Sequence, residues 1–419
     1  MKRQNWMLLG IVALMAVMNV VAWKSTAFCD FYVDHIYPLW VSTYGWFMGL
    51  FPFSVGEIML VAGVIVSVIA ALLGLVAIVL LLYKGIHFLR HRAADSLGMC
   101  NKVIRLCRKY WVAYIWILAG VFVVMTLNCM ISFHCSTMEE KYGLFDKAAA
   151  DDPMLQQLAE KQYTLYELAQ LRDYVVIKCN QLAEQVERDE SGNIIYPDNM
   201  EEIAIESMHR LSRHCGQLGG YYPQPKQFAF SDFFSQQKMK GYFFPFSMEV
   251  NYNALMHEIN RPATICHEYA HLKGFMYEEE ANMIGFLACI NSPDVTFQYS
   301  GYLSVLNYIN NEFYDAIDRN KEVYASHVKI SPQVRAENVF LEEKAWEKVE
   351  TKAVVKTEVV DKVSDKFSET ALILNGVEDG VLSYTRVVGL LLYYYDGSLE
   401  VQETLAEAGT VQEYLVQSE

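Results

Sequence analysis

The chain has 419 residues, 53% of them hydrophobic and only 20% charged. That balance argues against a purely soluble protein and leaves length for a membrane anchor plus one or two globular units. The net charge of −15 is unevenly spread, with 10 Lys/Arg against 4 Asp/Glu in residues 1–133 and 24 against 45 in the remainder; so acidic a globular part repels phosphates and argues against nucleic acid as a partner.

Three apolar runs open the chain. Residues 6–23 are broken only by Asn19, residues 58–83 carry Ser67 as the one clearly polar side chain, and residues 110–131 hold Thr126 and Asn128 near their far end. Each is long enough to cross about 30 Å of hydrocarbon as a helix. Lys2 and Arg3 give the first run the basic start of a signal peptide, but the run is long for one and no A-x-A cleavage site follows. The 84–109 loop holds Lys84, Arg90, Arg92, Lys102, Arg105, Arg108 and Lys109 against Asp95 alone, whereas Lys24 is the only basic residue between the first two spans. The positive-inside bias therefore predicts a cytoplasmic N-terminus and an extracytoplasmic chain after about residue 133. The 24–54 loop, with Tyr37, Trp40, Tyr44, Trp46, Phe47, Phe51 and Phe53, reads equally as an interfacial aromatic belt and as a small packed cap on the bundle. Glu57, near the second span's outer end, reads most simply as a helix-start carboxylate.

Beyond residue 133 the pattern predicts a helix over about 152–188, turn chemistry over 189–199 and a second helix over 200–215. Gly and Pro then punctuate an aromatic-rich stretch, where 241–253 (GYFFPFSMEVNYN) reads as a strand that Pro245 places at an edge or bulge. From 264 onward helices dominate, with a turn near 291–294 and a Glu-, Lys- and Val-rich segment, 334–371, that reads as solvated helix with disorder as the alternative. Residues 375–380 (NGVEDG) form a turn before an apolar helix over 382–395. The fold expected is α+β and mainly helical: three N-terminal transmembrane helices in 1–133, then a domain over 134–419 with a small edge-strand sheet. Cys135, Cys179, Cys215, Cys266 and Cys289 fall in that domain without a CxxC pair, so spacing assigns no disulfide.

The chemistry concentrates in 264–282, TICHEYAHLKGFMYEEEAN. On a helix, residues four apart lie on one face, so His267 and His271 can point their rings at one ion. Zinc accepts two such nitrogens and needs a third protein ligand, leaving one position for water. Glu268, beside the first histidine, is placed to take a proton from that water. Gly274 offers a left-handed helix stop, letting a second helix return past the metal. Glu278 and Asn282 share a face of that helix with small Ala281 between them. This favours Glu278 as third ligand, with Asn282 orienting a histidine ring. Glu279 lies about 100° to one side and is the weaker alternative, while Glu280 points roughly 160° away. An HExxH arises by chance in roughly 1% of chains this long, and the following ExxAN lowers that further.

His267-Glu268-x-x-His271 with Glu278-x-x-Ala281-Asn282 resembles the glutamate-zincin metallopeptidases, whose pattern is HExxH with a later ExxxD or ExxxN. More closely, the chain resembles an uncharacterised family of bacterial membrane proteins with three N-terminal spans and a zincin-like outer domain. The pieces that carry this are 52–57 (PFSVGE), 241–253, 264–275, 278–282, 299–302 (YSGY) and 379–388 (DGVLSYTRVV). The resemblance implies Zn2+ on His267, His271 and Glu278, Glu268 as general base, and the 241–253 strand as the edge that pairs with an extended peptide. It also implies a bacterial cytoplasmic membrane, crossed several times. Asn282 stands where better-studied relatives carry aspartate; it can accept a histidine N–H but cannot offset its charge.

Tyr299 and Tyr302 are candidate donors to an oxyanion, with core packing as the plainer reading of each. His257 reads as a loop residue, His209 and His214 have the wrong spacing for one helical face, and Cys266 packs under the zinc helix. The expected function is a membrane-anchored extracytoplasmic zinc metallopeptidase acting on a peptide or protein substrate, with cell-envelope proteins among the candidates. The alternatives are a non-catalytic zincin-like sensor or scaffold and a zinc amidase acting on envelope material.

Overall fold

Residues 3–91, 98–142, 163–353, 355–374, 383–396 and 398–399 are described in the computed structural model of the chain. The apolar runs form α1 (Arg3–Ala22), α2 (Val55–His91) and α3 (Gly98–Met125), the last continuing through a π turn and a 3-10 turn to His134. All three are long and apolar enough to cross a membrane, which makes this a multi-pass membrane protein. Ile58, Leu72 and Leu82 of α2 are each more than half exposed, as side chains that face lipid rather than a protein core should be. Tyr110 of α3 donates its hydroxyl to the Val66 carbonyl of α2 at 2.8 Å.

Between α1 and α2 the chain forms a helix, Thr26–His35, and then short helical turns. The two readings of this loop divide by residue. Tyr37 and Tyr44 turn inward, onto Met248 Sδ (3.8 Å) and the Phe246 carbonyl (2.7 Å) respectively. Trp40, Trp46, Phe47 and Phe53 stay exposed. Asp30 accepts from the backbone N–H (2.9 Å) and hydroxyl (2.7 Å) of Ser136, so this loop and the chain leaving α3 share one end of the bundle.

The rest of the chain builds from α4 (Leu165–Gln185), α5 (Met200–Leu211), β1 (Lys226–Gln227), α6 (Ser231–Gln236), β2 (Gly241–Phe244), β3 (Glu249–Tyr252), α7 (Arg261–Leu272), α8 (Glu278–Ile290) and α9 (Val295–Ala316). A capping box between Thr164 and Glu167 starts α4, and residues 152–162 of the helix expected there lie outside the described residues. The single strand expected over 241–253 is instead a hairpin. Pro245, which lacks an N–H for the ladder, falls in the turn 245–248, and Met248 closes that turn with φ +52°. The sheet order is β1-β3-β2, with β1 parallel and β2 antiparallel to β3, so β2 is an edge.

The 334–371 segment is not one long solvated helix either. It is divided among Pro332–Glu337, Glu343–Lys352 and Thr357–Leu374, and Val334 and Val349 are buried. Lys352–Asp232 and Lys238–Asp361 contacts, each 2.6 Å, tie these helices to α6 and its C-terminal side. The NGVEDG turn at 375–380 and residues 379–382 of the DGVLSYTRVV stretch lie outside the described residues; α10 (Ser383–Tyr395) follows. All nine cysteines are free thiols.

One buried cluster joins Ala22, Tyr32 and Ile131 at the bundle end to Met248, Tyr269 and Phe286. The junction is also polar. Ser54 caps α2 by accepting the Glu57 N–H at 3.2 Å. The N–H groups of Val55 and Gly56 donate to Glu249 of β3, at 3.2 and 2.7 Å. Glu57 is buried and accepts from the N–H groups of Ala229 (2.8 Å) and Phe230 (2.9 Å). It is thus more than a helix-start carboxylate at an interface. Lys226 of β1 pairs with Glu249 and donates to the Met48 and Phe53 carbonyls, at 2.9 and 3.1 Å. A Cβ on Gly56 would stand 2.4–2.8 Å from Phe244 atoms, so only glycine fits there.

Candidate metal centre

Pro262 sits in the first turn of α7, where its missing N–H costs nothing. The helix stops at Lys273, and Gly274 follows with φ +93°, the left-handed stop its position in the sequence called for. Lys273 holds the stop in place by donating to the Gly219 and Tyr221 carbonyls at 2.7 and 2.8 Å. The chain then reverses into α8. At Gly285 the two helices nearly touch: a Cβ there would lie 3.1 Å from the Ala263 carbonyl oxygen and 3.2 Å from the His267 nitrogen.

This reversal brings Glu278 against both histidines. Its Oε2 is 3.3 Å from His267 Nε2, its Oε1 is 3.5 Å from His271 Nε2, and the two Nε2 atoms are 3.1 Å apart. Zinc bonds of about 2.1 Å in a tetrahedron put neighbouring ligand atoms about 3.4 Å apart, so three donors at these separations fit one zinc-sized ion. His271 Nδ1 lies 2.8 Å from the Phe275 carbonyl; donating there leaves the Nε2 lone pair facing the other donors. Glu278 is 41% exposed, so solvent reaches the centre.

The electrostatics favour positive charge between these groups. Desolvation works against a charged His271 ring, but Glu278, Glu268 and the Phe275 carbonyl outweigh it and lift its pKa to about 9. Desolvation would likewise raise Glu278, yet the histidines hold it well below the usual carboxylate range. Glu268 is buried beside them, and burial raises its pKa.

Glu268 is reached from the other side by the hairpin. The Phe243 N–H faces its carboxylate, and a Cβ on Gly241 would meet its Oε1 at 2.7 Å. Asn253 N–H donates to the Lys240 carbonyl at 2.7 Å, which fixes the ladder alternation. Gly241 and Phe243 therefore turn their backbone groups toward the open edge of β2.

The three glutamates of EEE have three different partners. Glu278 faces the histidines. Glu279 Oε1 meets Arg386 of α10 at 3.2 Å. Glu280 is buried and accepts the Met138 N–H at 2.6 Å, at the start of the helix Met138–Tyr142; burial pushes its pKa up to about 8.

The family described as "Protein of unknown function (DUF3810)" matches residues 32–392. The chain belongs to that family. The match takes in α2, α3, the hairpin, α7 and α8, and ends within α10. No curated protein and no solved structure matches the chain.

In this DUF3810 chain the two tyrosines weighed as oxyanion donors follow the plainer reading, core packing. The Tyr299 hydroxyl donates to Glu337 at 2.8 Å, and that of Tyr302 lies 3.5 Å from those of Tyr174 and Tyr395. Both are buried in the core. Among the described residues no hydrogen bond joins Asn282 to a histidine ring; for His271 the Phe275 carbonyl has that place. Gly241, Phe275 and Arg386 belong to the site's surroundings without having been singled out. For Gly241 a signal existed, since a glycine opening a strand often marks a close approach. Cys266 is buried in α7, as expected.

Proposed function

We propose that the chain is a membrane-anchored zinc metallopeptidase with a zincin-like domain outside the cytoplasm. The observation that carries this reading is the triangle of His267, His271 and Glu278 donors, 3.1–3.5 Å on a side, beside buried Glu268. A bound zinc supplies Lewis-acid polarisation of a carbonyl and acidifies water. The three donors would hold it, and the Phe275 carbonyl keeps the His271 ring in register. The Glu268 carboxylate takes the proton of the attacking water and passes it to the leaving amine. Its raised pKa suits a group that must keep that proton between the two steps. The outward-turned backbone of Gly241 and the Phe243 carbonyl offer an extended peptide a strand edge to pair with. The basic 84–109 loop supports a cytoplasmic assignment for that loop and thus an outward-facing site.

The test is zinc content and turnover of a peptide library by the full chain and by Glu268→Gln. The variant is expected to keep its zinc and lose turnover by about 10²- to 10⁴-fold. A wild-type protein that holds zinc yet matches the variant on every substrate sinks the enzyme reading. That result would favour a zinc-holding sensor or scaffold, a reading supported by one observation: the hairpin that touches Glu268 also seats in the ends of the spans.

A further inference from the structure

The path from Glu268 to the membrane helix is short. The Phe243 N–H faces the Glu268 carboxylate, against which Gly241 of the same strand also packs, and the next residue, Phe244, lies on Gly56 in the first turn of α2. One polar contact of about 4 Å, one residue of strand at about 3.3 Å and one side-chain contact therefore connect them. The carboxylate can stand no farther than about 15 Å from Gly56.

The link is also stiff. Glu249 of the same hairpin accepts the first N–H groups of α2, and the Asn128 side chain of the third span donates to the Pro245 carbonyl at 2.8 Å. The hydrocarbon edge falls close by, because along α2 lipid-type exposure begins at Ile58, two residues after Gly56. Each headgroup layer is about 5–8 Å deep.

A second surface lies at the same level. Glu57 fixes the backbone of Ala229 and Phe230 beside the start of α2, and Phe230 and Phe233 are each about half exposed there. Two bare phenylalanines would be a poor surface in water. Next to an apolar span they continue the span's own lipid-facing surface.

We propose that Phe230 and Phe233 are seated in the bilayer and that the metal centre works within about 15 Å of the hydrocarbon edge, on the membrane-proximal segment of a membrane-tethered polypeptide. The lipid contact stands on the junction alone; the substrate class rests on the peptidase reading. At about 3.3 Å per residue, a tethered chain needs only about five extended residues to bring a peptide bond to Glu268. A catalytic centre about 40 Å above the bilayer would need about twelve.

The experiment uses the full zinc-loaded chain in lipid nanodiscs. A photo-crosslinking phenylalanine analogue at position 230 or 233 is expected to give acyl-chain adducts by mass spectrometry, as is the same analogue at Leu72 in α2. Adducts at 72 with none at 230 and 233 overturn the placement. In parallel, randomised segments are offered free and fused to a transmembrane anchor with spacers of about 4 or about 25 residues. Glu268-dependent cleavage is expected in the short-spacer set, within about eight residues of the anchor. Cleavage confined to the long-spacer or free sets overturns the substrate class while leaving the peptidase standing. No cleavage of any set sinks the peptidase reading and the substrate class with it, and the adducts still judge the placement.

Discussion

Helices α2 and α7 reverse the usual relation between chemistry and burial. The first runs 37 residues, with Ser67 the one clearly polar side chain between Ile58 and Tyr83, and its apolar side chains are largely exposed. The second is 12 residues long and spells HEYAH, yet Glu268 and Tyr269 are among its many buried side chains. Exposure of apolar groups along α2 reports the medium around it. Burial of polar groups along α7 requires a partner for each, because an unpaired buried polar group costs about 1–3 kcal/mol. Tyr269 donates to the Pro223 carbonyl at 2.7 Å, His271 meets Phe275 and Glu278, and Glu268 meets Phe243. Substitutions should therefore be severe around α7, severe at the first turn of α2 where buried charge is met, and mild along its lipid face.

The largest effect is expected at Glu278. Glu278→Ala removes a donor from the triangle and should weaken zinc binding by at least about 100-fold in a competitive titration, beyond the cost of losing a supporting contact. Glu279→Ala removes only a partner of Arg386 and should leave zinc affinity within about threefold. If the two results exchange, Glu279 is the ligand and α8 turns by about 100° relative to the arrangement described.

The next effect is expected where the two regions meet. Glu249→Ala leaves the buried Lys226 ammonium without its carboxylate and takes the acceptor from the Val55 and Gly56 N–H groups. Loss of one partner of a buried ion pair costs about 3–5 kcal/mol, which denaturant unfolding in nanodiscs should register. A cost below about 1 kcal/mol would mean that water enters the junction and that the hairpin is not rigidly joined to the span.

Much of this arrangement was legible in the sequence wherever the controlling contact is local. The His267 and His271 spacing, the stop at Gly274 and the ordering of the three glutamates all follow from helical geometry over a few turns. The three spans follow from length and hydropathy. What escaped is set by distant partners. Pro245 and Met248 close a turn that has no Asn-Gly or Asp-Gly signature, so the hairpin read as one strand. Tyr299 and Tyr302 read as core residues, as they are, but their hydroxyl partners Glu337, Tyr174 and Tyr395 lie too far along the chain to be read from it. Glu57 reads locally as a helix-start carboxylate because nothing nearby in the chain announces Ala229 and Phe230. The partition of 334–371 into short helices depends on α6 and on Val349 finding a buried place.

The smallest effect is expected on the lipid face of α2. Leu72 is 58% exposed, so Leu72→Ala exchanges one apolar surface for a smaller one against hydrocarbon and leaves no cavity in a protein core. In water such exposure would be unfavourable, but lipid tails are as apolar as leucine and give no hydrophobic incentive to bury it. The unfolding free energy in nanodiscs should change by no more than about 0.5 kcal/mol. Ala70, two residues earlier, is buried, so enlarging it to leucine should cost about 1–3 kcal/mol by overpacking. A loss of about 2 kcal/mol or more for Leu72→Ala would show that this face packs against protein in the membrane. Exposure along α2 would then report a second copy or another chain, and the contrast with α7 would reduce to two helices buried in different partners.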